Sequence, residues 1–412
     1  LPQDWPPQAA GQMRALISFA LASAYDGTGD FERAVDAYVE HIRLSRLAGN
    51  IPGVSITFRL VGVLRLLGRL REAGTACREA LAYVQAQGMS RLPASGILHV
   101  ALSEVLVEQN DLEAAEAHLA QGFEIGKWSW RLETARNVAY VLSRLRQARG
   151  DVRGALTAIE EVGAVIGEPH PPLVRAELLA LRARILLRQG ALREAARCAE
   201  EAVRLAGRDR GRTGGLAALI TARVSAAQCK PADAVLHLTR ALAEMEAGGR
   251  MGAALELRIH RSLALAQQGD ARAAVADLER ALALAEPEGY VRLFLDEGRP
   301  MQMLLAQWLA RAGDSPLRDY AVRLLSHFEA EPPEVVGPQK VSPTGGLIEP
   351  LSQRELEVLH LIALGNTNKV IAQQLFVAPG TVKAHTASIY RKLDVANRTE
   401  AVARARQLGI LP

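Results

Sequence analysis

The residues best suited to chemistry lie on one helix that is predicted near the end of the chain. Its core-facing side recurs at spacings of 4, 3 and 4 residues: Val382, Thr386, Ile389 and Leu393. Lys383, Ala387 and Arg391 form a second row outside that side, at i, i+4 and i+8. Such a row suits a helix in the major groove of DNA, because basic residues meet phosphates and small residues let the backbone approach base edges. The alternative is an ordinary solvated face of a small helical bundle.

Three further helices are predicted around that row. The four helices are expected over 352–364, over 368–375, from 379 onward and over 397–408. Ser352–Glu355 and Asn397–Glu400 are capping boxes, Thr367 caps the second helix, and Pro379 stands at the first position of the third. A short helix, a tight turn and a longer helix are the arrangement that presents a recognition helix to DNA.

The positive charge of the chain is confined to this last segment. The whole chain carries a net charge of +4, and residues 350–412 hold eight Lys and Arg against four Asp and Glu. Residues 1–349 therefore hold 41 basic and 41 acidic residues. A basic terminal segment on a neutral body is typical of a protein that binds a polyanion.

The first two thirds of the chain contain a repeat. A turn recurs every 39 to 42 residues: Gly29-Asp30, Gly68-Arg69, Asn110-Asp111, Gly150-Asp151, Gly190-Ala191, Cys229-Lys230 and Gly269-Asp270. Five residues after each turn stands an alanine: Ala34, Ala73, Ala115, Ala155, Ala195, Ala234 and Ala274. The first residue of each turn is predicted to be left-handed and to end a helix, and the alanine is predicted to let the next helix pack closely. Residues thirteen after the turns are expected to lie on the same buried face: Ile42, Leu81, Phe123, Gly163, Val203, Leu242 and Leu282.

The repeat predicts an all-α chain built from about seven helical hairpins. It resembles the tetratricopeptide pattern, stretched to about 40 residues per unit, and stacked hairpins of that kind form a superhelix with a concave inner face. That face could serve protein contacts, which we favour, or a pocket for a small effector. The expected domains are the hairpin array (1–285), a helical end-cap (286–330), a Pro-rich linker (331–349) and the four-helix terminal domain (350–412).

The terminal domain resembles a LuxR-type helix-turn-helix domain almost end to end. The matching motifs include Leu351-Ser352-x-Arg354-Glu355, Gly365-x-Thr367-Asn368-Lys369, Gly380-Thr381-Val382-Lys383-x-His385 and Asn397-Arg398-Thr399-Glu400-Ala401. The resemblance implies that the fourth helix serves dimerisation on DNA. It implies base-reading residues at Lys383, Ala384 and Ala387. Phosphate contacts are expected at Thr367, Lys369, Thr381, His385, Arg391 and Arg398.

The helical repeats, the segment GYVRLFLDEG (289–298) and the terminal domain together are similar to the MalT-like regulators, also called the LAL family. Those regulators carry a nucleotide-binding domain with a P-loop before the repeats. No GxxxxGK[ST] motif occurs in the 412 residues and the chain starts at Leu1, so we interpret it as the C-terminal part of such a regulator. No cofactor is expected in this chain, and ATP would bind only in a missing N-terminal domain. The implied partners are double-stranded DNA, RNA polymerase and a small-molecule or protein effector at the repeats.

Other classes of function are weighed against this interpretation. The main alternative is a tetratricopeptide-like interaction scaffold with a non-essential terminal bundle. An enzyme is not expected, because no nucleophile elbow, HExxH or paired-carboxylate motif occurs. The cysteines (Cys77, Cys198 and Cys229) show no metal-binding spacing and fit the cytoplasm, and no apolar run is long enough to span a membrane. The cluster Trp128-Ser129-Trp130 is interpreted as core packing, with an effector-stacking surface as the alternative.

Overall fold

The computed structural model describes residues 7–126, 132–166, 171–207 and 214–330, and in the terminal segment 358–359, 361–363, 366–374, 382, 386, 388–390, 395 and 397–407. These described residues form helices and short connections, with no β-strand among them. The chain divides into two compact units, Leu1–Gly337 and Pro338–Pro412. The prediction of an all-α chain is confirmed.

The described residues of the first unit form seven helical hairpins in chain order. Their helices are α1 (Pro7–Thr28) with α2 (Phe31–Leu47), α4 (Thr57–Leu66) with α5 (Leu70–Ala86), α6 (Pro93–Glu108) with α7 (Leu112–Gly126), α8 (Leu132–Ala148) with α9 (Val152–Ile166), α10 (Pro172–Arg188) with α11 (Leu192–Ala206), α12 (Gly214–Ala227) with α13 (Pro231–Ala247), and α14 (Met251–Gln268) with α15 (Ala271–Ala285). The short α3 (Ile51–Ser55) lies between the first two hairpins. The seven predicted units are therefore seven observed hairpins.

All seven predicted turns end a helix in the left-handed conformation. The residue at the turn has a φ between 61° and 95° in every hairpin, including the non-glycine residues Asn110 and Cys229. The next residue then donates its amide to the carbonyl five positions back, as in Asp30 N to Tyr25 O at 3.0 Å and Lys230 N to Ser225 O at 2.9 Å. This Schellman pairing satisfies the last carbonyls of the helix. The turns therefore stop the first helix at the same point in each unit.

The alanine five residues after each turn is completely buried in all seven hairpins, with 0% exposure. The prediction for the residues thirteen after the turns is wrong in two places, because Phe123 is 37% and Val203 is 36% exposed. In α7 the close contact is made by Gly122, since a Cβ there would lie 3.0 Å from the carbonyl oxygen of Gly96. In α11 the buried positions are alanines such as Ala202. Phe123 and Val203 each follow such a buried position by one residue. One residue rotates the side chain by about 100° around the helix axis, which turns it away from the contact.

The array also makes a contact between hairpins that are distant in sequence. At Gly252 of α14 a Cβ would lie 1.9 Å from the carbonyl oxygen of Arg65 and 3.0 Å from the amide nitrogen of Gly68, both in hairpin two. Residues of both hairpins belong to one hydrophobic cluster, with Leu60 and Leu64 on one side and Leu255 and Ile259 on the other. The seventh hairpin therefore packs against the second, which a row of hairpins touching only their neighbours would not do.

The end-cap follows the last hairpin. Its helices are α16 (Arg292–Leu295), α17 (Gly298–Leu309) and α18 (Arg318–Ala330). Residues 289–297, here called the strap, run back to the third hairpin, where the Val291 amide donates to the Glu108 carbonyl at 2.9 Å. Phe294 is fully buried and meets Tyr320 edge to face, with ring centroids 6.2 Å apart. The strap is thus an internal part of the first unit.

The second unit has its own small core. Two of its helices are α19 (Asn368–Gln374) and α20 (Arg398–Gln407), and the described residues of the predicted first and third helices are also helical. The core residues come from all four segments: Val358, Leu359, Ile362, Ile371, Ala372, Val382, Ile389, Ala401 and Ala405. The predicted linker (331–349) lies outside the described residues.

Candidate nucleic-acid interface and luminal cavity

Three of the four predicted core residues of the third helix of the terminal unit are described and are buried as expected, whereas Leu393 lies outside the described residues. Val382 and Ile389 have 0% exposure and Thr386 has 9%. The Thr386 hydroxyl donates to the Val382 carbonyl at 2.8 Å, which satisfies the one polar group on this side of the helix.

The predicted caps of the flanking helices are present. The Thr367 hydroxyl is exposed and accepts from the Val370 amide at 3.4 Å, at the start of α19. The Asn397 side chain accepts from the Glu400 amide at 3.0 Å and donates to the Glu400 carboxylate at 2.7 Å, at the start of α20. The two caps hold the ends of helices whose apolar sides form the core.

Three of the nine predicted DNA-contacting residues have backbone or side-chain positions that the structure describes. Thr367 is the exposed cap, Lys369 lies within α19, and the half-buried Arg398 donates through Nη2 to the carbonyls of Ile362 and Asn366, both at 2.8 Å. Arg398 therefore ties α20 to the end of the first helix, a role that spacing did not show. The others lie outside the described residues: Thr381, Lys383, Ala384, His385, Ala387 and Arg391. Their DNA contacts stay predictions.

The first unit contains a partly open cavity of about 270 Å³, here called the luminal cavity. It is lined mainly by the first helices of hairpins two to seven and by the strap. One part of the wall is apolar, with residues such as Leu216 and Leu219, and another part is charged, with residues such as Arg65 and Glu108. The structure therefore contains a cavity of the kind that the small-effector interpretation of the repeats requires.

A buried ionic cluster lies beside the luminal cavity. Glu108 accepts from Arg144 at 2.8 Å and from the Tyr140 hydroxyl at 2.5 Å, and its side chain is 2% exposed. Asp296 of the strap pairs with Arg144 at 2.9 Å, with Arg292 at 2.7 Å and with Arg184. These partners come from the third, fourth and fifth hairpins and from the strap, so the cluster joins four segments.

The electrostatics of the cluster favour the charged form of Asp296. Burial by itself would raise the pKa of Asp296, but Arg144, Arg292 and Arg184 outweigh it and hold the pKa well below its usual range. Burial raises the pKa of Tyr140 to about 12, so its hydroxyl stays protonated and donates to Glu108. Pairing with opposite charges is the condition under which a buried ionic group is tolerated.

A second ionic contact holds the next strap residue. Glu297 accepts from Arg223 at 2.6 Å, and Nδ1 of His260 lies 3.4 Å from the other carboxylate oxygen. Burial, together with Arg223 and Arg184, lowers the pKa of His260, so this imidazole is neutral. Sequence reasoning singled out GYVRLFLDEG but assigned no role to its acidic pair. The available signal was two adjacent carboxylates in an otherwise apolar segment.

Other predicted features have simple outcomes. No helix among the described residues is long and apolar enough to cross a membrane. No group of three or more His, Cys, Asp or Glu in the described part of the chain is arranged to hold a metal ion. Trp128-Ser129-Trp130 lies outside the described residues.

Comparison with known protein families identifies both parts of the chain. The model of the MalT-like TPR region matches residues 4–311, which is most of the chain. The chain belongs to the MalT-like TPR family. The model of the luxR family of bacterial regulatory proteins matches residues 349–405. The predicted LuxR-type domain and the MalT-like subfamily are therefore both confirmed.

Individual relatives agree with the family matches. The chain is 34% identical over 153 residues to the HTH-type transcriptional regulator MalT of Vibrio cholerae, and 35% identical over 143 residues to that of Serratia proteamaculans. These matches cover 34% and 32% of this chain, but only 17% and 16% of the relatives.

Among solved structures, a Rap protein complexed with Competence and Sporulation Factor aligns with a TM-score of 0.47 at 12% identity, covering 87% of this chain and 97% of that one.

Proposed function

We propose that this chain is the effector-sensing and DNA-binding part of a transcriptional regulator. The observation that carries the proposal is the luxR-family match at residues 349–405, which falls on a helix-turn-helix segment whose core residues are buried as that fold requires. The confinement of the net positive charge to the last 63 residues supports it, because phosphate neutralisation supplies much of the affinity for DNA. The named relatives are transcriptional regulators, which supports a function without catalysis by this chain.

In this proposal the third helix of the terminal domain enters the major groove. Lys383, Ala384 and Ala387 face the base edges, and the phosphates are held by Thr367, Lys369, Thr381, His385, Arg391 and Arg398. The hydrogen bonds of Arg398 to Ile362 and Asn366 use one nitrogen of its guanidinium, so its expected phosphate contact would be made by another. The domain binds DNA as a dimer and contacts RNA polymerase in the cytoplasm.

The helical array is the sensing part in this proposal. The luminal cavity is lined by residues of six of the seven hairpins and of the strap. A molecule bound there would contact several segments together and favour their closed arrangement, as a ligand that binds one conformation does. The proposed domains are the array (1–285), the end-cap (286–330), the linker (331–349) and the DNA-binding domain (350–412), and any ATP site would belong to a separate preceding domain.

The test uses the 412-residue chain and a pool of random duplex DNA. Rounds of selection should enrich one sequence motif, and fluorescence anisotropy should then show tighter binding to that motif than to scrambled duplex. Affinity for both should fall steeply as salt is raised, because bound counterions are released from the phosphates. Enrichment of no motif, together with equal affinity for every duplex, would overturn the proposal.

A further inference from the structure

We propose that the luminal cavity binds a small organic cation with an apolar body, and that the carboxylate of Glu256 is its counter-ion. The proposal rests on the sensing role proposed above and names the chemical class of the ligand. It starts from the state of the charged side chains on the cavity wall.

Each arginine on the cavity wall is already engaged. Arg65 contacts Glu104 and Glu108, and Arg223 donates to Glu297 at 2.6 Å. Arg184 contacts Asp296 in the same way. Each of these guanidiniums therefore already contacts an acid of the protein itself.

The two remaining arginines on the wall are also held by the protein. Arg59 is hydrogen-bonded to Tyr38 and lies over the ring of Phe58 at 5.8 Å. Arg250 is buried and donates to the Glu244 carbonyl at 3.4 Å. All five arginines on the cavity wall are therefore held by groups of the protein.

Glu256 differs from these residues. It lies on α14, is half-buried and lines the cavity, and no hydrogen bond or ion pair joins it to a residue that the structure describes, although its charge acts on Arg144 and Arg223 from a longer distance. Loss of water around such a carboxylate is costly unless a donor replaces it. An ammonium or guanidinium group supplies a charge-assisted hydrogen bond, which is stronger than one from a neutral donor.

The wall of the same cavity defines the rest of the ligand. α12 presents Leu216, Leu219 and Ile220, and Leu257 follows Glu256 on α14. A volume of about 270 Å³ lies just below the range for small-molecule sites, roughly 300–1,000 Å³. The ligand is therefore compact, with its cationic group at Glu256 and an apolar body against α12.

The position of the cavity explains how occupancy reaches the rest of the array. Arg184 and Arg223 form part of the cavity wall and also hold the strap residues Asp296 and Glu297. A bound cation would lie among the side chains that join the hairpins to the strap. Its binding should therefore raise the melting temperature of the first unit.

The experiment compares three probes of matched size on the 412-residue chain: 2-phenylethylamine, 2-phenylethanol and phenylacetate. We expect only the amine to raise the melting temperature of the array and to give a saturable isotherm in calorimetry. Glu256→Gln should weaken amine binding about ten- to one-hundred-fold, since a charged partner is lost. The matched control is Glu279→Gln, at an exposed glutamate on α15, which should bind the amine as well as the native chain.

Ala253→Leu provides a second variant that keeps every charge. Ala253 is half-buried on the cavity wall, so a larger side chain should reduce the space and weaken amine binding. Equal binding of the alcohol or the acid, unchanged affinity in Glu256→Gln, or no binding of the amine would each overturn the proposal. If Glu256→Gln does not fold, the test rests on Ala253→Leu. Amine binding by that variant as tight as in the native chain would then overturn the proposal. DNA binding is measured on the same samples. Loss of specific DNA binding with amine binding intact would refute the proposed function. Loss of amine binding with specific DNA binding intact would refute only the cation site.

Discussion

The contact between the second and seventh hairpins can be tested by a single added methyl group. In Gly252→Ala the new Cβ would lie 1.9 Å from the Arg65 carbonyl oxygen, whereas real Cβ atoms stay at least about 3.0 Å from other heavy atoms. The atoms it meets are backbone, at Arg65 and Gly68, so no side chain can rotate away. Helix α14 must therefore move outward by more than about 1 Å, which would open the contact at the start of the last hairpin.

The magnitude follows from two opposing terms. Overpacking of this kind costs about 1–3 kcal/mol, while replacing a helical glycine by alanine returns up to about 1 kcal/mol. Because both clashing atoms are backbone, we expect the upper part of the range, with a net loss of about 2 kcal/mol in the free energy of unfolding. Urea titration followed by far-ultraviolet circular dichroism measures that loss.

Gly11→Ala is the matched control. Gly11 also lies within a helix, α1, but a Cβ there would meet no atom within 4 Å. This variant should gain up to about 1 kcal/mol, because only the helix propensity changes. The two substitutions should therefore move stability in opposite directions. If Gly252→Ala is as stable as Gly11→Ala, the seventh hairpin does not pack on the second in solution and the closed array is wrong.

Three further predictions concern the strap, the repeat and the DNA contacts. Asp296→Asn should destabilise the array by about 3–5 kcal/mol, since it leaves buried guanidiniums without their carboxylate. Because the folded-state pKa of Asp296 is lowered, its contribution is present above about pH 4 and is lost as the pH falls further. Urea titration measures the difference in unfolding free energy between the native chain and the variant. A difference that stays constant from pH 7 to pH 3 would contradict this. Ala195→Leu should cost about 1–3 kcal/mol by overpacking a fully buried position, whereas Glu194→Leu, at the exposed neighbour, should change stability by less than about 0.5 kcal/mol in the same titration. For DNA, Lys383→Ala should reduce discrimination between specific and random duplex by about 1–3 kcal/mol, and Lys369→Ala should weaken both about equally; the reverse pattern in anisotropy would move base reading to α19.

The repeat was readable from the sequence because its determinants are local. A left-handed residue that ends a helix is a property of a few consecutive positions, and glycine or asparagine adopts it at low cost. The buried alanine five residues later is set by the same turn, because helix geometry fixes its side of the next helix. The Asn397–Glu400 cap is local in the same sense. These features were therefore predictable one hairpin at a time.

Side-chain burial was less predictable where several residues of one helix could make the same contact. Phe123 was expected to be buried because it is apolar and stands at the right spacing. In the structure Gly122 faces α6 instead, because its lack of a side chain allows the closest approach of the two helices. Spacing identifies the helix but does not decide which of two adjacent positions faces its neighbour.

The amino-acid sequence by itself determined the class of the chain, its hairpins and the DNA-binding segment, since each depends on patterns within about 40 residues. Only the tertiary structure decided that the last hairpin packs on the second at Gly252 and that the array contains a cavity. It also placed Asp296 among arginines of α8 and α10, more than 100 positions earlier in the chain. The physical reason is that a small rotation between successive hairpins, repeated seven times, determines which distant helices meet. No local pattern specifies that rotation, because it results from the packing of all the hairpin interfaces together.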